Sequence, residues 1–265
     1  MSHAQSNISI VTISFNQAAF LEECLSSVLS QDAGDDEYIV VDPGSTDASR
    51  DIIARHAVRI DKQILEPDAG PADGLNRGFA AATGELLGYI NADDRYAPGA
   101  ISFARKFFSD YPNVDVLCGA IRIIDRHGRA SLRARTSDPF DLAHFAAGTC
   151  TVGQQATFFR RRAYDQAGGF NPDNSINWDG ELLVDMALTG ARFATTSRIL
   201  GDFRIYAESI TGSKRHTERL LREHERLADK IRAHGIPLYS PLRGALRRLL
   251  YKVNVARHLG YLLAQ

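Results

Sequence analysis

Between residues 8 and 124 short, β-branched apolar runs alternate with amphipathic stretches, and that alternation limits the fold more than any other feature of the chain. "ISIVTIS" (8–14), "EYIVVD" (37–42), "IDKQIL" (60–65), "ELLGYI" (85–90) and "DVLCGAIRII" (115–124) have the length and residue types of strands. Between them, "FLEECLSSVLSQ" (20–31) sets Leu21, Leu25, Val28 and Leu29 at helical spacing. "STDASRDIIARHA" (45–57) reads as a helix that Ser45 or Thr46 can cap, and "PADGLNRGFAAA" (71–82) as one opening on a proline. "GAISFARKFFSDY" (99–111) completes the series. Strands that are apolar on both faces need cover on both. The expected class is α/β: a mainly parallel sheet flanked by helices.

In such sheets ligands bind outside the carboxyl ends of the strands. Three polar stretches fall on that rim: "SFNQ" after the first strand, "DPGSTD" after the second and "NADD" after the fourth. Asn91, Asp93 and Asp94 end an apolar run abruptly. Asn and Asp make tight turns, and they also hold hard cations such as Mg²⁺ or Mn²⁺, so the residues alone leave both uses open.

A chain of 265 residues suits one large α/β domain, or a domain of about 200 residues with an appendage. Lys+Arg 31 balance Asp+Glu 32, so no nucleic-acid partner is expected. Cys24, Cys118 and Cys150 are widely spaced and odd in number, which argues against a disulfide framework or a zinc knuckle. "MSHAQSN" lacks the apolar core of a signal peptide, and no segment approaches 18 uninterrupted apolar residues. A cytoplasmic location is the expectation.

After residue 125 the pattern loosens. "DRHGRASLRART" reads as a turn between short polar strands, "GELLVDMALTG" (180–190) as a helix and "RFATTSRILGDFRIY" (192–206) as strand-like. A long polar helix is expected from Thr217 to His234, then a last helix from "SPLRGAL" onward.

The segments "VTISFNQAAFLEECLSSVLSQ", "YIVVDPGSTDASRDII", "EPDAGPADGLNRGFAAATGELLGYINADD" and "QQATFFRRRAYDQAGGF", in this order and spacing, resemble family 2 glycosyltransferases over roughly residues 8 to 205. The resemblance implies a GT-A fold and an inverting transfer from a nucleotide-diphosphate-sugar donor, with UDP favoured, assisted by divalent Mg or Mn. It places a glycosyltransferase domain over 1–210, with a nucleotide-sugar half at 8–125 and an acceptor half at 126–210, and a C-terminal helical extension over 211–265. Thr12, Asn16 and Asp42 are implied near the nucleoside, where a carboxylate accepts from a ring N–H. Asp68, Asn76 and Arg77 are implied in the donor cleft, Arg77 and Arg204 near the diphosphate.

"INADD" is similar to the family's D-x-D metal motif, with Asn91 where the first Asp often stands. Asp93 and Asp94 are left as the anionic ligands. "NWDGELLVDMAL" is similar to the segment that carries the family's base, which implies Asp179 takes the acceptor proton. Gln154, Gln155, Trp178 and Glu181 are acceptor-side candidates, although Glu181 also suits a helix start and a lone Trp often belongs to a core. Tyr206 stands where the family usually has His. The implied acceptor is a glycan or lipid-linked hydroxyl, in cell-surface polysaccharide synthesis.

Two other enzyme classes fit the sequence less well. A sugar nucleotidyltransferase needs a Gly-rich, basic phosphate loop after the first strand, and "SFNQAAF" has none; a Rossmann dehydrogenase needs G-x-G-x-x-G there. A glycosyltransferase-like binding or scaffold protein that has lost catalysis draws support from Asn91 and Tyr206 alone.

From Ile236 onward the chain has Arg243, Arg247, Arg248, Lys252 and Arg257 and no acidic residue. Leu242, Leu246, Leu249, Leu250, Val253 and Ala256 fall on one face of the last helix. The stripe suits packing on the catalytic domain or a second subunit in a homo-oligomer, or peripheral contact with the anionic inner face of a membrane.

Overall fold

The computed structural model describes residues 7–31, 36–213 and 215–253. The first half runs β1 (Ile8–Ile13), α1 (Ala18–Leu29), β2 (Glu37–Val41), α2 (Ser49–Arg55), β3 (Lys62–Ile64), α3 (Pro71–Ala81), β4 (Leu86–Asn91), β5 (Arg95–Tyr96), α4 (Ala100–Asp110) and β6 (Val116–Ile124). The second half runs β7 (Ala130–Arg135), α5 (Leu142–Ala146), β8 (Thr157–Arg160), α6 (Arg161–Ala167), α7 (Trp178–Leu188), β9 (Phe193–Arg204), α8 (Ile210–Ser213), α9 (Thr217–Ala233) and α10 (Pro241–Val253).

One nine-stranded sheet has the order β3-β2-β1-β4-β8-β6-β9-β5, with β7 paired to β6. β3, β2, β1 and β4 are parallel neighbours. β6 does not follow them directly. β8 inserts between β4 and β6, antiparallel to both, so β6 keeps the common direction without touching β4. The sheet is therefore mixed but mainly parallel.

The two-sided strands divide their side chains by simple alternation. Ile8, Ile10, Val40, Leu86 and Ile90 join Leu21, Leu25, Ile53, Ile101 and Phe108 from α1, α2 and α4 on one face. Val11, Ile39, Val41, Leu87 and Tyr89 join Leu75, Phe79, Leu182 and Met186 from α3 and α7 on the other. Each such buried side chain contributes about 2 kcal/mol of transfer free energy.

Local capping departs from expectation. Ser45 and Thr46 do not start a helix, because α2 begins at Ser49. Their turn is stitched instead to the turn after β1. Asn16, in the left-handed region at φ 52°, accepts the Thr46 N–H through Oδ1 at 2.8 Å, while its own N–H donates to Ser45 Oγ at 2.8 Å. Asp47 accepts the Ala18 N–H at 2.9 Å and Ser49 Oγ the Gln17 N–H at 3.1 Å, so α1 is capped from the neighbouring loop.

Candidate active site

The rim turns enclose a cleft of about 650 Å³. In sheet order its lining passes from Ser14, Phe15, Gln17, Pro43, Asp68 and Gly70, through Asn91, Asp93 and Asp94, to Gln155, Trp178, Asp179, Arg204 and Tyr206. Gly201 lets this wall form: a Cβ there would collide with the Gln155 carbonyl, so β9 closes on the turn at 154–156 only as glycine.

Among the described residues four buried side-chain polar atoms have no partner: Ser14 Oγ, Asn91 Oδ1, Trp178 Nε1 and Arg161 Nη2. Ser14, Asn91 and Trp178 line the cleft. Buried polar atoms are almost always satisfied, so this concentration marks a surface built to receive a polar ligand.

The acidic corner has unequal members. Asp94 is buried, and both oxygens are committed: Oδ1 accepts the Arg204 N–H at 2.7 Å and Oδ2 the Gln155 amide at 2.8 Å. Asp94 thus braces β9 and the 154–156 turn while standing on the same lining as Asp93. Asp93 faces the cleft and accepts a hydrogen bond from Tyr206 Oη at 3.2 Å. Burial raises the Asp93 carboxyl above the usual range, against the opposing Tyr206 bond and Arg204 charge. No group of three or more His, Cys, Asp or Glu side chains among the described residues is arranged to hold a metal. Asp93 and the orphaned Asn91 Oδ1 still fit a hard cation that brings most of its oxygen ligands with it.

Asp179 stands in the first turn of α7 and lines the same cleft. Burial raises its pKa, outweighing the backbone N–H groups that favour its charge. That is the electrostatic condition of a general base. Asp68 also lines the cleft, with burial raising its pKa. Trp178 and Gln155 are on the lining, but Gln155 spends its NH₂ on Asp94.

Other expected residues are elsewhere. Thr12 is buried on the opposite side of β1 from the cleft-lining Ile13, its hydroxyl 2.8 Å from Tyr38 Oη, because strand side chains alternate. Asn16 and Asp42 lie off the lining. Asp42 is fully buried, accepting from Gly44, Ser45 and Arg50. Asn76 clamps the turn at Gly169–Phe170: Nδ2 donates to the Phe170 carbonyl, and Oδ1 accepts from Tyr164 Oη and the Phe170 N–H. Arg77 donates to the Pro67 carbonyl and pairs with Asp73. Arg204, although on the cleft wall, is wholly buried and donates to the carbonyls of Asp93, Asp125 and Arg126 and to Glu23. Its guanidinium thus braces the turns at Asp93 and Asp125–Arg126. Glu181 is buried beneath Arg226 and Lys230 of α9, with amides from Asn171 and Asn174.

The rim stretches "SFNQ" and "DPGSTD" put Ser14, Phe15, Gln17 and Pro43 on the lining without an individual role, and Ile176, Phe203, Glu208 and Ser209 join it with no sequence signal. Phe15 left a signal: an aromatic residue in a polar turn, and it is 57% exposed. Tyr206 packs on Phe20 with ring centroids 4.8 Å apart, and the Arg126 guanidinium sits over both rings.

The fold resembles that of solved GT-A glycosyltransferases. TarS of S. aureus, residues 1–349 in complex with UDP-GlcNAc, superposes with a TM-score of 0.68 at 18% identity, covering 96% of this chain and 73% of that one. The mannosyltransferase PcManGT of Pyrobaculum calidifontis, in complex with GDP-Man and Mn²⁺, gives 0.59 at 18% identity over 98% and 86%. The chain belongs to glycosyl transferase family 2, whose model matches residues 9–169. An uncharacterised glycosyltransferase of Nostoc sp. is 30% identical over 210 residues, 75% of this chain and 65% of its own length. A PGL/p-HBAD biosynthesis glycosyltransferase of Mycobacterium bovis is 31% identical over 179 residues, 64% of this chain and 66% of its own.

Proposed function

We propose that this glycosyltransferase moves one sugar, with inversion, from a nucleotide-diphosphate-sugar to a hydroxyl of a glycan or lipid-linked acceptor. The reading rests on one observation: Asp179, its pKa raised by burial, shares a single cleft with Asp93 and the unpartnered Ser14, Asn91 and Trp178 atoms. Asp179 takes the proton from the acceptor hydroxyl as its oxygen bonds the anomeric carbon, and the bond from that carbon to phosphate breaks, releasing the nucleoside diphosphate. Asp93 and Asn91 Oδ1 would hold Mg²⁺ or Mn²⁺, which supplies charge neutralisation of the leaving diphosphate. Ser14, Phe15, Asp68, Gln155, Ile176 and Trp178 share the lining; in this reading the first three would meet the nucleoside and the last three the acceptor. UDP is the favoured nucleotide, in keeping with a structural neighbour in complex with UDP-GlcNAc. Cell-surface polysaccharide synthesis is the reading for the product, and a similar mycobacterial protein is a PGL/p-HBAD biosynthesis glycosyltransferase.

Calorimetric titration of UDP, GDP, CDP and dTDP, each with and without Mn²⁺, tests the reading. Metal-dependent binding of one nucleotide is expected. Absence of binding by all four under both conditions would mean that the cleft has lost its chemistry and the chain serves as a binding module.

A further inference from the structure

We propose that α10 lies in the plane of an anionic membrane surface and holds the enzyme there. Leu242, Leu246, Leu249 and Leu250 are 81%, 54%, 59% and 54% exposed. Their spacing puts them in one stripe of the helix, so the exposure is a continuous apolar face and not scattered single residues. Among the described residues no helix is long and apolar enough to cross a membrane, so a lipid partner of this helix is met by adsorption.

Charge selects the occupant. From Ile236 to Gln265 the chain carries five basic residues, Arg243, Arg247, Arg248, Lys252 and Arg257, and no acidic one, within a protein whose net charge is −1. A second copy of the same segment would bring five like charges to a shared interface, which repels. A bilayer with anionic headgroups supplies both what the stripe needs and what the cations need. Residues 254–265, "NVARHLGYLLAQ", extend the same composition beyond the described helix; Ala256 and Arg257 belong to this part.

The test is flotation of the full-length protein with two kinds of vesicle, phosphatidylcholine alone and phosphatidylcholine mixed with phosphatidylglycerol, at low and high salt. Wild type is expected to float with the anionic vesicles only, and to be released as salt screens the attraction. Arg243→Gln with Arg247→Gln should lower partitioning by about tenfold or more. Leu246→Glu with Leu250→Glu should abolish it, while the unfolding temperature and nucleotide affinity stay at wild-type values because these leucines contact solvent. Equal binding to neutral vesicles, or binding to neither, overturns the proposal. So does a concentration-dependent dimer, by light scattering, that the leucine variant dissolves. None of these outcomes touches the transferase reading, which nucleotide titration addresses separately.

Discussion

Tyr206 Oη donates to Asp93 Oδ2 across 3.2 Å, so the carboxylate that faces the cleft is already engaged by a phenol. A cation approaching Asp93 must compete with that bond. Replacing Tyr206 by Phe removes the competitor and should tighten Mn²⁺-dependent nucleotide binding about fivefold, the scale of one neutral hydrogen bond. Calorimetry on the two proteins reads it. Weaker binding in the variant would show that the phenol contacts the bound diphosphate instead.

Asn91 leaves Oδ1 buried without a partner beside Asp93. Asn91→Asp adds a second anionic oxygen at the same position, and cation affinity follows ligand charge. The expected result is about tenfold tighter Mn²⁺ binding in the presence of nucleotide. Asp93→Ala should remove the metal dependence of donor binding.

Asp179→Asn keeps the shape of the first turn of α7 and removes the base. Transfer should fall by about 10²–10⁴-fold with donor affinity nearly unchanged. Loss of donor binding in Asp179→Asn equal to that in Asp93→Ala would contradict the assignment of separate roles.

The pH profile follows from Asp179. A base works when ionised, and burial raises its pKa, so activity should disappear on acidification at a pH above the ordinary carboxylate value of about 3.9. The acidic limb of kcat measures this. In the residual activity of Asp179→Asn that limb should be absent.

Glu181 gives an independent stability test. Burial pushes its pKa up, but hydrogen bonds from Arg226, Asn174 and Asn171 outweigh this and hold it down to about 2. A depressed carboxyl stabilises the fold above its unfolded value, near 4.3, and that contribution is lost as pH falls toward 2. Glu181→Gln should therefore cost about 3 kcal/mol at neutral pH, by denaturant titration, and progressively less below pH of about 4.

The alternation of strand and helix was legible because β1, β2 and β4 are covered on both faces, and that requirement is written in composition. The place of β8 was not. Its four residues carry no register signal, and only pairing of Leu86–Gly88 with Phe158–Arg160 puts it between β4 and β6. Asp93 and Asp179 could be placed on the cleft from motif and topology. Asn76, Arg204 and Glu181 could not be told from ligand contacts, because an amide that clamps a turn and one that grips a sugar have the same chemistry. Their distant partners Phe170, Asp125 and Arg226 come together only in three dimensions.

The antiparallel insertion of β8 also bears on how the protein is made. While the chain leaves the ribosome, residues up to Asn91 can assemble β1 to β4, yet the free edge of β4 has no neighbour until Thr157–Arg160 emerges. For the interval in which some 65 residues are translated, a strand of Leu, Leu, Gly, Tyr and Ile offers unpaired backbone to any passing chain. Chaperone demand should thus peak at nascent lengths that end before β8.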